Sequence, residues 1–583
     1  MIPVRAYFRL LTDYLRPHRA RVVLLGAVLF TSIGLQLINP QLIKRFIDGA
    51  IAGRSASDLI PIAIVYMLLA VIQQGLVVWS AYVAEDIGWS ATNRLRADLT
   101  DHVLHLDMGY HKAHSPGELI ERIDGDVTAL SNFFSAMLIK VVGNGVLIAG
   151  IIVLLWVESW IVGLGVTLFT VLALLGMLRL HRVAVPWWKA VRETSAEFHG
   201  FIGEQVEGTE DVEANGATGF MLGRFTDIHR RWLPLQIRSW TGWAMLWSTT
   251  IVLYVASLSI VFVLGSWLFG IGTLTIGSVF LVFQYVQMTY EPVEQIREQF
   301  VDLQKAGASI DRVNEILSAE TVLRPEGDQQ VPAGPLRVEF DDVTFAYGDG
   351  DIDEIVLAGV SFDIAPGRVV GLLGRTGSGK STIARLITRL YEPQEGTVRL
   401  GGVATWDAHV AGFRDRVGMV TQDVQLFRAT VRDNLTFFDP TVSDRRLLDV
   451  IHELELDAWF DSLPKGLDTL LESGSGGLSA GQAQLLAFTR IFLEDPGVVV
   501  LDEASSRLDP ATEALIERAV DHLLENRTGI LIAHRLATVK RADDILILDA
   551  GEVAEFGRRD VLAADPDSRF SRLLVTGMEE VLA

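Results

Sequence analysis

Residues 371–382 read Gly-Leu-Leu-Gly-Arg-Thr-Gly-Ser-Gly-Lys-Ser-Thr, and positions 374–381 carry the pattern G-x-x-x-x-G-K-S. The run ahead of it, 368–373, is a short apolar segment of buried-strand type. The run behind it, 382–390, places its apolar residues at helical spacing. Strand, glycine-rich turn and helix in that order make a phosphate-binding loop. The glycines let backbone N–H groups approach phosphate oxygens, and the helix N-terminus adds a favourable dipole. The pattern assigns Gly374, Arg375, Thr376, Gly377, Ser378, Gly379 and Thr382 to the cradle. It sends Lys380 to the β- and γ-phosphates of a nucleotide and the Ser381 hydroxyl to Mg²⁺.

A second motif follows at Val498-Val499-Val500-Leu501-Asp502-Glu503. Four consecutive apolar residues predict a buried strand, and two carboxylates emerge at its C-terminal end, where α/β sheets bind ligands. Asp502 is the expected Mg²⁺ partner, through water. Glu503 is placed to act as general base on the water that attacks the γ-phosphate.

The chain has 583 residues, half of them hydrophobic, with mean hydropathy +0.32 and a formal net charge of −22. Charge is unevenly spread: positions 239 to 290 hold no Asp, Glu, Lys or Arg, whereas 291–583 are densely charged. Composition thus divides the chain into an N-terminal membrane part and a C-terminal soluble part. The acidic balance argues against a nucleic-acid partner, which needs a basic face. With no cysteine, disulfides, thiolate metal ligands and a cysteine nucleophile are excluded.

Residues 1–21 contain five arginines and predict a basic amphipathic helix lying in the membrane interface; no cleavable signal pattern is present. Six spans are expected, near 22–43, 59–84, 134–157, 160–178, 243–269 and 274–290, with the turn between the last two at Gly270-Ile271-Gly272-Thr273. The N-terminus and the two long loops 85–133 and 179–240 carry seventeen Lys and Arg against three on the other side, so both termini are expected inside. Apolar residues in the long loops recur at helical spacing (Leu95, Leu99, Val103; Phe198, Ile202, Val206). The expectation is that the spanning helices run on beyond the membrane and are joined by short crossing segments near 108–113 and 208–214. Within the spans Gln36, Gln73, Gln74, Asn144, Gln284 and Gln287 either line a path or bond helix to helix. The expected domains are an interfacial helix (1–21), a transmembrane domain (22–320), a linker (321–335) and an α/β nucleotide-binding domain (336–583).

The two phosphate motifs, in this order after six spans, resemble a half-transporter of the ATP-binding cassette superfamily, of the exporter type. The resemblance covers essentially the whole chain. Its most specific piece is Leu478-Ser479-Ala480-Gly481-Gln482, similar to the family signature L-S-G-G-Q. The resemblance implies an all-α six-helix transmembrane domain of the type IV exporter fold, fused to an α/β P-loop NTPase domain. It further implies that Tyr347 stacks on adenine, that Gln422 senses Mg²⁺ and the attacking water, that Asp509 lies in a dimer-crossing loop and that His534 contacts the γ-phosphate. Ser479, Gly481 and Gln482 would then face the nucleotide held by a second subunit. Two departures stand out. Ala480 replaces the first signature glycine, and the segment 471–477 matches the family's T-E-V-G-E-x-G loop only loosely.

The resemblance implies an ATP- and Mg²⁺-dependent ATPase in a bacterial-type cytoplasmic membrane that exports an amphipathic small molecule, lipid or peptide, and one nucleotide domain per chain implies a dimer. The departures favour a heterodimer with a related half over a homodimer. An importer built on the exporter fold, for siderophore-type cargo, and a cassette ATPase that gates a partner without pumping are the alternatives. The six apolar spans, of which only 134–157 holds a charge (Lys140), and the acidic balance argue against a soluble cassette ATPase of DNA repair or chromosome organisation.

Overall fold

Long uncharged runs become long helices in the computed structural model, which describes residues 14–325, 327–348, 355–422, 424–472, 478–502, 510–533 and 539–576. Five described helical stretches are long and apolar enough to cross a membrane: Arg16–Ile51, Ala56–His105, Ile139–Glu158, Trp160–Glu207 and Thr218–Gly270. Helices of 50, 48 and 53 residues extend about 75 Å each at 1.5 Å per residue, against the roughly 30 Å of a hydrocarbon core. Each therefore continues far past its uncharged stretch.

The sixth expected span differs from the other five. It begins at Ile276, capped by Thr275 Oγ1 accepting from the Ser278 amide, and its helix stops at Gln287. A new helix starts at Tyr290 and runs to Ser318. Pro292 accounts for the break: it has no N–H to give the carbonyl of Met288, and its ring crowds that carbonyl. The turn before this span falls where the glycines place it, with Gly272 at φ 76°.

The chain divides into two units. One comprises the described residues through Val103 together with Leu119–Ser318; the other comprises Leu104–Glu118 together with the described residues from Ala319 onward. The core of the first is aliphatic, with Leu29, Ile151, Leu155, Val261 and Leu281 gathered around the fully buried Tyr285. Tyr285 donates to the Leu37 carbonyl at 2.8 Å and accepts from Gln41 Nε2 at 3.0 Å. Two further polar clasps tie distant segments: Lys44 to Glu158 at 2.6 Å, and Asp48 to the Gly277 amide and the Thr275 hydroxyl, both at 2.9 Å. Asn144 donates to Gln295 at 2.8 Å, which makes it a helix-to-helix bond.

In the second unit, a short helix α1 (Met108–Ala113) is capped by Asp107, whose Oδ1 accepts from the Tyr110 amide at 3.0 Å while Oδ2 accepts from Val322 at 2.8 Å. Partial burial pushes this carboxyl up, but the backbone donors of Val322 and Tyr110 outweigh it and hold the group below the ordinary range. The expected crossing segment thus belongs to the unit that carries the phosphate loop. The other expected crossing segment, Thr209–Ala214, belongs to the first unit and buries none of its residues.

Two sheets build the rest. The strands β1 (Val338–Ala346), β2 (Ile355–Ile364), β4 (Glu395–Leu400) and β5 (Val403–Ala404) form an antiparallel sheet in the order β2-β1-β4-β5. The other sheet has the order β10-β9-β3-β8-β7-β6, with β3 at Val369–Gly374, β6 at Val417–Val420, β7 at Val498–Asp502, β8 at Thr528–Ile532, β9 at Asp544–Asp549 and β10 at Glu552–Arg558. All its pairings are parallel except that of the edge strand β10. Every residue of β3 is buried, as a strand covered on both faces requires. Because β3, β8 and β7 are parallel neighbours, Gly374 and Asp502 leave the sheet at the same edge.

Candidate functional site

The phosphate loop connects β3 to helix α2 (Lys380–Ile387). Gly374 and Gly379 hold φ of 151° and 102°, a region that costs residues with a Cβ. Space forbids a side chain as well: a Cβ on Gly374 would lie 2.5 Å from the Leu548 carbonyl oxygen, and one on Gly379 2.5 Å from Leu357 Cδ2. The loop therefore bends tightly, with Ser378 N donating to the Arg375 carbonyl at 3.1 Å.

Lys380 is 6% exposed. Its ammonium donates to the carbonyls of Gly374 at 2.7 Å and Arg375 at 2.9 Å, so the cation is folded back over the loop it closes. Ser378 Oγ is buried and has no hydrogen-bond partner among the described residues. A buried polar atom without a partner is costly, and here it sits in a concave cradle beside a buried cation, which suits phosphate oxygens. Ser381 Oγ donates to Asp502 Oδ2 at 3.3 Å. A hydroxyl and a carboxylate at the mouth of such a cradle form an all-oxygen set of the kind that suits Mg²⁺.

Tyr347 follows β1 and is held from below. Its hydroxyl contacts Thr382 Oγ1 at 2.9 Å and accepts from Arg385 at 2.8 Å, both on α2. Tyr391 and Phe345 meet its ring edge-on at 5.1 and 4.9 Å. The Lys112 ammonium, from α1, lies 5.0 Å from the ring centroid. Phe345, Arg385, Tyr391 and Lys112 are the participants that sequence reasoning did not single out. Arg385 had a signal: it sits three residues after Thr382 on the same helix, hence on the same face. Tyr391 and Lys112 had none, since only the tertiary fold brings them to Tyr347.

The signature segment forms the start of helix α3 (Ala480–Glu494). Ser479 Oγ accepts from the Gln482 amide at 3.3 Å, and Gln482 Oε1 accepts from the Ser479 amide at 2.9 Å. This reciprocal capping box commits both polar side chains to the helix start. Ser479 and Ala480 are exposed and Gly481 is buried, so the Ala480 methyl lies on the outside of the first turn. Gln422, two residues past β6, is exposed; β6 pairs in parallel with β7, which puts Gln422 at the same edge as Asp502. Deeper in, Arg490 ties α3 to this region by donating to the carbonyls of Asn434 at 2.5 Å and Gln425 at 3.1 Å, and burial pushes its guanidinium down to about 10. Glu503, Asp509, His534 and positions 473–477 lie outside the described residues.

The transmembrane-region profile of ABC transporters matches residues 22–293, and the ABC transporter profile matches residues 357–506. An ATP-dependent lipid A-core flippase of Idiomarina loihiensis is 30% identical over 569 residues, covering 95% of both chains. The chain belongs to the ABC transporter family. A multidrug efflux ATP-binding/permease protein of Mycobacterium bovis is 31% identical over 571 residues, covering 97% of this chain and 47% of that one. The solved structure of a bacterial Atm1-family ABC exporter with ATP bound superposes with a TM-score of 0.79 at 24% identity, over 96% of this chain and 98% of that one. That likeness establishes the exporter fold. This ABC chain carries one helical transmembrane domain and one ABC ATPase domain, the make-up of a half-transporter, and a half-transporter implies a dimer.

Proposed function

We propose that this half-transporter hydrolyses ATP between two nucleotide domains and uses the closure to export an amphipathic small molecule, lipid or peptide across the cytoplasmic membrane. The observation that carries the reading is the buried Lys380 ammonium over the loop carbonyls, with Ser381 and Asp502 in contact at its mouth. ATP lays its phosphates along the amides of 374–382, its adenine against Tyr347, and its outer face against Ser479, Gly481 and Gln482 of the second subunit. Lys380 neutralises charge between the β- and γ-phosphates. A magnesium ion held by Ser381, and by Asp502 through water, would supply further charge neutralisation there. Water positioned by Gln422 attacks the γ-phosphorus, Glu503 takes its proton, and the bond to the bridging oxygen breaks with its electron pair leaving on ADP. His534 donates to the γ-phosphate, and Asp509 lies at the dimer crossing. The exposed Ala480 and the variant loop 471–477 favour a related, unequal second half over a second copy. The basic residues of the inner loops favour termini on the cytoplasmic side.

Replacing Glu503 with Gln tests the reading. The expected outcome is loss of steady-state phosphate release by at least about a hundredfold with ATP binding retained; release near the parental rate removes Glu503 from the role of base. The adenine contact has its own test. Tyr347→Ala raises the ATP KM roughly tenfold, the size of a lost base stack. Tyr347→Phe keeps the ring but frees Thr382 and Arg385, and raises it only about two- to fivefold. Equal values for the two variants would remove stacking from the account.

A further inference from the structure

Within the first unit a half-open cavity lies between the helices Trp160–Glu207 and Thr218–Gly270 and the broken sixth span. The break at 288–289 opens onto it, because Thr289 and Tyr290 are both in its wall. Among its described lining residues none is charged and none is an amide; the glutamines considered from sequence are not in it. Its polarity comes from four aliphatic hydroxyls and two phenols.

Those hydroxyls have a common feature. Thr170 donates to the Val166 carbonyl at 2.8 Å, Thr250 to Leu246 at 3.0 Å, Ser257 to Tyr254 at 2.6 Å and Thr289 to Val286 at 2.7 Å. A hydroxyl has one proton to give, and all four are given to the backbone. What they retain is lone-pair density, the negative end of their dipoles. The rings of Tyr254 and Tyr290 meet at 4.8 Å with their planes tilted by 52°, and ring faces attract cations. An anionic head group would enter a site with no cation among the described residues to meet it, and a buried unpaired charge is heavily disfavoured.

We propose that this cavity binds a lipophilic organic cation, and that it discriminates against carboxylate- and phosphate-bearing lipids. The assignment rests on the transport reading above and names the class of its cargo. Tetraphenylphosphonium and tetraphenylborate have the same shape and opposite charge, so they isolate the claim. Equilibrium binding of each is measured to the full chain in nanodiscs, with its second half if the two co-purify, and with empty nanodiscs subtracted. The expected result is saturable phosphonium binding at least tenfold tighter than borate binding, weakened roughly tenfold by Tyr254→Ala or Tyr290→Ala and little by the corresponding Phe variants. Ala173→Lys, on the same wall, reverses the preference and serves also if a tyrosine variant does not fold. Borate binding as tight as phosphonium binding, or phosphonium binding indifferent to all of these changes, overturns the assignment. Basal ATP hydrolysis is assayed on the same samples. Hydrolysis without selective phosphonium binding overturns the cargo class alone, whereas absent hydrolysis in folded protein overturns the transport reading, since binding is measured without ATP.

Discussion

Replacing Lys380 with alanine lowers ATP hydrolysis by at least about a hundredfold, the usual size for losing a charge that stabilises a transition state in a water-poor site. The argument rests on burial. The ammonium is 6% exposed and already lies on two loop carbonyls, at 2.7 and 2.9 Å, so little rearrangement is needed when phosphate arrives. No other residue at this loop replaces it: Arg375 is exposed and contributes its carbonyl, not its charge, to the cradle. The substitution also removes donors from the Gly374 and Arg375 carbonyls, at a cost of about 1–3 kcal/mol. Lys380→Met retains most of the aliphatic stem and separates that packing term from the lost charge. Phosphate release and thermal unfolding are measured on both variants. Both should be inactive while melting within a few degrees of the parent; hydrolysis by either variant at more than about a third of the parental rate would remove Lys380 from the chemistry.

The phosphate cradle was legible because it is local. Eight consecutive residues, a strand before and a helix after determine its geometry, and the glycines stand where φ and crowding demand them. Asp502 was legible for a similar reason: an all-apolar strand ending in acids must release them at the sheet edge. Tyr347 was placed by family order, but its surroundings were not readable. Thr382 and Arg385 share one face of α2, Tyr391 lies just beyond that helix and Lys112 comes from α1; apart from the spacing of Thr382 and Arg385, nothing in local pattern announces that they converge on one ring. The capping box at Ser479 and Gln482 sits between these cases. The pattern S-x-x-Q is a recognised helix start, yet the resemblance to the signature directed attention to nucleotide instead. The roles proposed for Glu503, Asp509 and His534 rest on sequence order.

The transmembrane helices show the same division. Absence of charge marked where helices run, and helical periodicity in the long loops marked that they continue. The sixth span was read as one piece because its residues are uniformly apolar; hydropathy is blind to the Pro292 that parts it at 288–289. Conversely, Pro40 leaves the helix Arg19–Ile51 unbroken, as a proline is tolerated in a long helix where neighbouring helices support the backbone. The intramembrane amides drew attention as polar groups in an apolar setting. In the wall of the proposed cavity the polar groups are hydroxyls instead, and the four aliphatic ones each donate to a backbone carbonyl one turn back. That self-satisfaction is what turns the cavity wall into an acceptor surface.

The largest effect expected on stability comes from Asp126. Its carboxylate is 4% exposed and lies in a short stretch of π-helix, Glu121–Asp126, a wider turn that often marks a constrained position. Three donors from the helix Tyr290–Ser318 converge on it: Ser309 Oγ at 2.8 Å, Arg312 Nε at 2.7 Å, and the second guanidinium nitrogen of Arg312 in a bidentate pair. Neighbours strengthen the staple, with Arg122 paired to Glu315 at 3.2 Å and Arg96 to Asp124 at 3.0 Å. Removing one partner of a buried pair costs about 3–5 kcal/mol. Arg312 is 44% exposed, so water recovers part of its loss, and Asp126→Ala is expected to fall below that range, at about 2–3 kcal/mol. Asp126→Asn keeps the shape and one acceptor and loses less. Arg312→Met leaves the carboxylate buried with Ser309 as its remaining side-chain donor among the described residues, and should cost at least as much as Asp126→Ala. The double variant Asp126→Asn with Arg312→Met then recovers stability relative to Arg312→Met alone, because the uncompensated charge is gone. Thermal unfolding of the purified chain in detergent reads all four, and strictly additive shifts would show that the two residues do not act as a pair.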